Sequence, residues 1–399
     1  MGFLEFDPRI RVVVAANFLL VAGRMSVVTF LGIYFVREAR LSLATVGAAL
    51  LCENLLRGLL APVFGALSDR IGRRRLLLAS ALISAAVLPC FLLVSGPGSL
   101  FAWSLCMGIA GAVNLPVASA LLLDLSPAER RQGVLAINYT VMSVAYTLGV
   151  MPAGYVAEQS YVFLAGIACL AYLLVAALYT FALRGPLPLE RAHSEENLFY
   201  SSISVLRDRV FLAFAALAFV FPLGMGLVVI VSPLFAAGLG LGEGYIGLVL
   251  GGNSIIVALL AVPVAARIEP GGPFRPLSLA ALLVGAGFAC YALVPDPALA
   301  LLTGTVVFSF AELIFSSAVP AAVARLAPAG RRGAYQGGWT LVGSFSMGSA
   351  LMLSSFLSDW TGWRASWLIY AGLLLAAALG LFTARERFLR ARQVQSAIR

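Results

Sequence analysis

The chain has 399 residues, 61% of them hydrophobic and 11% charged, with a net charge of +9 and a mean hydropathy of +0.98. Soluble domains carry roughly 25% charged and 45–50% apolar residues, and single soluble cores stop growing near ~250–300 residues, so a soluble fold is excluded, and so is disorder. What remains is an all-α membrane protein with room for about twelve spans at ~20 apolar residues each.

Loop signals divide the chain into apolar segments at 10–36, 43–67, 75–95, 99–123, 133–157 and 161–183, then 209–237, 244–266, 275–294, 297–325, 334–357 and 364–384. Helices are required because lipid cannot hydrate exposed backbone. The opening stretch, MGFLEFDPRIR, carries acidic residues and no small-residue cleavage site, unlike a cleaved signal peptide. The first span contains Asn17 and, seven residues further along the same face, Arg24. The second contains Glu53 and, one turn later in the favourable order, Arg57. Arg24 and Glu53 fall near the midplane at 1.5 Å of rise per residue. A charge there costs about 2.5–3.5 kcal/mol on insertion scales, so both side chains are expected to face the bundle interior. Burial favours the neutral acid at Glu53 and Arg57 favours the carboxylate. A movement that separates the pair would let Glu53 take up a proton, whereas a permanent pair would be helix packing. Arg24 is placed either to pair with Glu53 or to hold an anionic substrate.

The second span closes on Gly65-Ala-Leu-Ser-Asp69-Arg70-Ile-Gly72-Arg73-Arg74-Arg75. Gly65 permits close helix approach, and Gly72 supplies a tight turn. Asp69 is suited to free helix-terminal amides or to an arginine. Asp124, at the end of the fourth span, is expected to meet the arginines of 73–75 and so close that side of the protein. In the fifth span Tyr139 and Tyr146 are seven apart and line either a cavity or a packing surface. The longest polar stretch runs from Arg184 to Arg209 through Pro186, Pro188, Glu190, His193, Glu195 and Glu196, as a linker between halves would. Its histidine, the only one, reads as solvated. In the second half Glu312 lies about 15 residues into the tenth span with no charged neighbour one turn away. It meets a partner across a cavity, rests protonated, or bonds a nearby serine such as Ser309 or Ser316. Gly333, Gly337, Gly338, Gly343, Gly348 and Ser349 crowd the eleventh span and suit close packing.

Two global patterns organise these elements. Every basic residue is arginine; 22 fall on the side of the N-terminus, three on the other (Arg37, Arg40, Arg364) and two within spans. This bias places both termini in the cytoplasm of a cell-membrane protein. Second, Leu125–Arg131 matches Leu326–Arg332 at five of seven positions, an offset of 201 that also pairs Pro62 with Pro263 and Glu158 with Asp359. The chain therefore reads as two parallel six-helix repeats, 1–184 and 209–385, joined by a linker at 185–208 and followed by a tail at 386–399.

The Gly65–Arg75 loop resembles the signature of the major facilitator superfamily, Gly-x-Leu-x-Asp-Arg-x-Gly-Arg-Arg/Lys, and the twelve spans and duplication extend the resemblance over the whole chain. Phe310–Pro320, with Leu326-Ala-Pro328 and Arg332–Gly337, is similar to the drug:proton antiporter branch. Ser104 stands where the fourth-helix motif of those exporters has arginine, and Gly149-Val-Met-Pro152-Ala-Gly154 keeps the residue types of their fifth-helix motif but not its spacing. The resemblance implies a secondary transporter working by alternating access, with proton-coupled efflux of a small amphipathic molecule; import or facilitated entry of a metabolite is the alternative. Its gating motif maps to Gly65, Asp69, Arg70, Gly72, Arg73, Arg74 and Asp124.

Enzyme signatures are missing: there is no HExxH, no Gly-x-Ser-x-Gly and, without lysine, no Walker loop. Cys52, Cys90, Cys106, Cys169 and Cys290 share no metal-like spacing and read as small buried residues. No cofactor, metal or nucleic acid is expected. The expected partners are a small-molecule substrate, protons and the bilayer, for a monomer.

Overall fold

The computed structural model describes residues 7–127, 130–183, 204–268, 273–328 and 331–397. Among these every regular element is helical, and twelve helices are long and apolar enough to cross a membrane. They are α1 (Pro8–Arg37), α2 (Leu43–Ile71), α3 (Arg73–Val87), α4 (Pro97–Asp124), α5 (Arg131–Gln159) and α6 (Tyr161–Ala177), followed by α7 in segments within Arg209–Gly238, α8 (Glu243–Ile268), α9 (Phe274–Leu293), α10 (Pro297–Leu326), α11 (Arg332–Thr361) and α12 (Trp363–Ala397). The expected linker residues Arg184–Ile203, with His193, lie outside the described residues.

Local chemistry sets the helix ends. Asp7 accepts from the Arg9 amide at 2.7 Å, and Asp208, at the offset of 201, accepts from the Val210 amide at 2.8 Å. Each half thus opens with an aspartate N-cap. Pro97 and Pro297 both stand in the first turn of their helices, α4 and α10. Gly72 separates α2 from α3 at φ +95°, a conformation that only glycine adopts readily.

Contacts divide the chain into two units, Met1–Ser194 with Gly242–Ile255, and Glu195–Leu241 with Ile256–Arg399. In the first, α1 packs on α5 and α6, α2 on α4, and α3 on α4 and α6. Beyond Val87, α3 tightens into a 3-10 turn over Leu88–Leu93. Pro89 causes this, because its ring removes the amide that would bond Ala85. The Cys169 thiol donates to the released Ala85 carbonyl at 3.4 Å, and the Trp103 indole donates to Val87 O at 3.0 Å. The opening stretch of α8 belongs to this unit. A methyl on Gly154 would fall 2.2 Å from the Glu243 carbonyl, and one on Gly247 would fall 2.9 Å from that of Val150, so bare backbones bring α5 and α8 together. Glu158 caps α8 by accepting from the Gly244 amide at 2.9 Å.

In the second unit α9 packs on α10 and α12, and α7 on α11, which repeats the α3–α4, α3–α6 and α1–α5 pairs of the first. Its α7 breaks after Ala218 and again at a π-turn over Leu227–Val231. Pro222 explains the first break, since it cannot bond Ala218. Aromatic residues fill this core: Trp367 lies 4.8 Å from Tyr291 and 5.2 Å from Phe288 between ring centroids. Large apolar side chains such as Phe163 and Leu259 stay exposed on the outside of the helices, as a lipid-facing surface requires. The cysteines depart from expectation: Cys90 and Cys106 are exposed and the other three half-buried. A small apolar side chain suits that outer surface as well as a core.

Candidate functional site

Near the middle of the first unit, Glu53 on α2 is 3% exposed. Arg24 of α1 donates through Nη2 to its Oε1 at 2.9 Å. Arg57, one turn along α2, donates through Nη2 to the same oxygen. Of the two readings open for Arg24, the structure shows the pair with Glu53, and it adds Arg57 on the same atom. The Nε atoms of both arginines are buried and make no hydrogen bond.

The fourth helix is what admits this cluster. A methyl at Gly108 would stand 2.8 Å from the Glu53 carbonyl oxygen, and one at Gly111 would stand 2.9 Å from Arg57 Nε and 3.1 Å from Arg24 Nη1. Two bare positions, one helical turn apart, let α2 approach and give the guanidiniums a place against the α4 backbone. Tyr172 of α6, 1% exposed, lies within electrostatic reach of all three charges. Asn17 lies one layer away, where its amide donates to Asn138 Oδ1 of α5 at 2.8 Å; both are buried. Ser104, in place of the exporters' arginine, is fully buried with its hydroxyl unbonded.

A second cluster lies at the arginine-rich end of the same unit. Arg73 donates through Nη2 to Asp69 at 3.2 Å and its Nη1 lies 2.9 Å from Asp124 Oδ2. Arg74 turns elsewhere: it donates to the carbonyls of Tyr179 at 2.7 Å and Thr180 at 2.8 Å, within the π-turn Leu178–Ala182 that ends α6. Arg70 and Arg75 are exposed. Within the first unit a methyl on Gly65 would meet open space.

Glu312 belongs to the second unit, half-buried on α10. The nearby hydroxyls point along the helix: Ser309 donates to Thr305 O at 2.9 Å and Ser316 to Leu313 O at 3.3 Å. Tyr139 is exposed and Tyr146 half-buried on α5. Sequence reasoning missed Asn138, Gly111, Tyr172 and the acceptors of Arg74. Gly108 and Gly111 were visible as two small residues one turn apart, and small residues are enriched where membrane helices approach closely.

The family model of the Major Facilitator Superfamily matches residues 13–299 and 218–396. The chain belongs to this superfamily and is a multi-pass membrane protein of its transporter fold. Among characterised proteins it is 26% identical over 370 aligned residues to a protein of Planococcus maritimus named a Na(+), Li(+), K(+)/H(+) antiporter, covering 84% of this chain and 86% of that one. Among solved structures it superposes on the nucleoside transporter NupG with a TM-score of 0.80 at 16% identity, covering 94% of this chain and 99% of that one. A POT family transporter in complex with 5-aminolevulinic acid gives a TM-score of 0.77 at 16% identity, with 97% and 98% covered. The human organic anion transporter MFSD10 gives 0.64 at 19%, with 94% and 99% covered.

Proposed function

We propose that this protein is a proton-coupled secondary transporter of a small amphipathic solute, working by alternating access of two six-helix halves, 1–184 and 209–385, in the cell membrane with both termini cytoplasmic. The observation that carries the reading is Glu53, a carboxylate buried at span depth and held by two arginines from different helices. Release of the arginines would leave a buried carboxylate without a partner, the circumstance in which burial favours the protonated acid. Tilting of α1 against α2 would break the Arg24 bond and make proton uptake depend on conformation. Asp69, Arg73 and Asp124 tie the start of α3 to the ends of α2 and α4 and would serve the gate on that side. Glu312, in the other half, is a second candidate for the proton or the solute.

Efflux by exchange, with solute leaving as protons enter, is supported by the antiporter name of the Planococcus relative. Co-transport, as in an importer, is favoured by one observation, the positive charge left over where two arginines share one carboxylate. The test is transport in proteoliposomes with an imposed pH gradient, using solutes found by screening an efflux-deficient host. Glu53→Gln is expected to abolish the response to the gradient while solute exchange at equal pH persists. Gradient-driven transport that survives both Glu53→Gln and Glu312→Gln would overturn the reading.

A further inference from the structure

The cluster around Glu53 is charged and incompletely bonded. Arg24 and Arg57 each form an ion pair with Glu53, and among the described residues neither forms another. Each guanidinium has five N–H donors in a fixed fork, and each commits one of them to Oε1 of Glu53. From α4 the bare positions Gly108 and Gly111 lie against the cluster, and Tyr172 of α6 lies within electrostatic reach of it. One unit of positive charge is therefore left at a depth where an uncompensated charge costs several kcal/mol. The Arg57 side chain is 26% exposed, against 12% for Arg24 and 4% for Glu53, so Arg57 is the member that an incoming molecule reaches first.

We infer that the transported solute carries a carboxylate, which docks on the uncommitted guanidinium edges of Arg57 and Arg24 beside Gly111. This rests on the transport reading above and deepens it by naming the substrate class. Arginine is suited to the task because its planar fork takes a carboxylate by two parallel bonds. One bound carboxylate would bring the cluster to neutrality, whereas a metal ion or an organic cation would add to its excess charge. The solute carboxylate and Glu53 draw on the same two guanidiniums through different N–H groups, so their negative charges oppose each other. Protonation of Glu53 then frees both arginines and strengthens anion binding. By reciprocity, anion binding promotes proton uptake at Glu53. Arg24 from α1, Arg57 from α2 and Tyr172 from α6 are the charged or titratable groups around it. For an anionic solute, proton and substrate load together, which selects co-transport.

The experiment measures binding to the purified full-length protein in detergent, read as a shift in unfolding temperature and by calorimetry. The probes are salicylate, benzoate and octanoate, with tetraphenylphosphonium and sodium chloride as cationic counterparts. At least one carboxylate is expected to stabilise the protein, and neither cation is. Arg57→Gln should weaken that binding by about tenfold or more. Gly111→Ala, which keeps every charge and displaces only the guanidiniums, should weaken it in the same direction. The inference is overturned if none of the three carboxylates stabilises, if a cation stabilises instead, or if both variants bind as the parent does. Proton-driven transport of other solutes without carboxylate binding would leave the transport reading standing and remove this inference. Carboxylate binding without proton-driven transport would do the reverse.

Discussion

The first unit holds two three-membered charge clusters of opposite composition. At span depth two arginines share one glutamate; at the end of the helices two aspartates share one arginine. Glu53 and Asp124 are comparably buried, with side chains 4% and 7% exposed, but Asp69 is 42% exposed. The second cluster can therefore be screened from outside, by water and by its exposed neighbours Arg70 and Arg75. The carboxylate of the first is shielded from such screening, and only Arg57 is partly open. Similar geometry thus leaves opposite imbalances: excess negative charge at an exposed edge, and excess positive charge around a buried carboxylate.

The contrast can be broken by mutation. The largest effect is expected for Glu53→Ala, which leaves two buried guanidiniums facing each other and should cost about 3–5 kcal/mol of stability. Removing Arg57 as well should recover part of that loss, and a double-mutant cycle on unfolding temperatures measures the coupling. Asp124→Asn should cost less, about 2 kcal/mol, because Arg73 keeps its bond to Asp69 and its access to the rim. Gly108→Ala tests whether the interior cluster depends on close approach. Its methyl would meet the Glu53 carbonyl oxygen at 2.8 Å, an overpacking worth about 1–3 kcal/mol that has no counterpart at the open position Gly65. Asp69→Asn should cost less than about 1 kcal/mol, as exposed pairs do; an effect as large as that of Asp124→Asn would erase the distinction drawn between the two aspartates.

The smallest effect concerns Asp7, outside both clusters. The Arg9 side chain bonds its carboxylate and holds its pKa below the ordinary value. A lowered folded-state pKa means that its contribution is complete above ~3.9 and is lost as pH falls through the folded value. Asp7→Asn should flatten that acid limb by lowering stability slightly at neutral pH and leaving it unchanged below the folded value, as read from unfolding temperatures across pH.

Most of the helical plan was legible in the sequence because lipid leaves few choices. A run of apolar residues must be a helix of span length, and the expected segments coincide with the observed helices to within a few residues at most ends. The break in α7 at Pro222 was not read from the sequence, where 209–237 forms one apolar segment, and the π-turns of α6 and α7 were not legible, since they depend on packing. Glu53 and Arg57 could be joined from their spacing on one helix, and Arg24 was placed as one possible partner. What escaped were contacts between helices whose pairing no local pattern states. Gly111 became meaningful only once α4 lay on α2, and Asn138 only once α5 lay on α1. The five residues of the gating signature that do bond or turn here were readable as a motif, yet Arg73 and Arg74, adjacent in sequence, serve different acceptors on different helices.

Arg74 ties the start of α3 to the end of α6, a joint expected to move as one piece. Its fork grips two successive carbonyls that the π-turn has presented outward, so the joint resists twisting as well as stretching. Spectroscopic labels placed at these two helix ends should keep a fixed separation through the transport cycle, while distances from either to α5 change. A lysine in that position could hold the joint but not its angle.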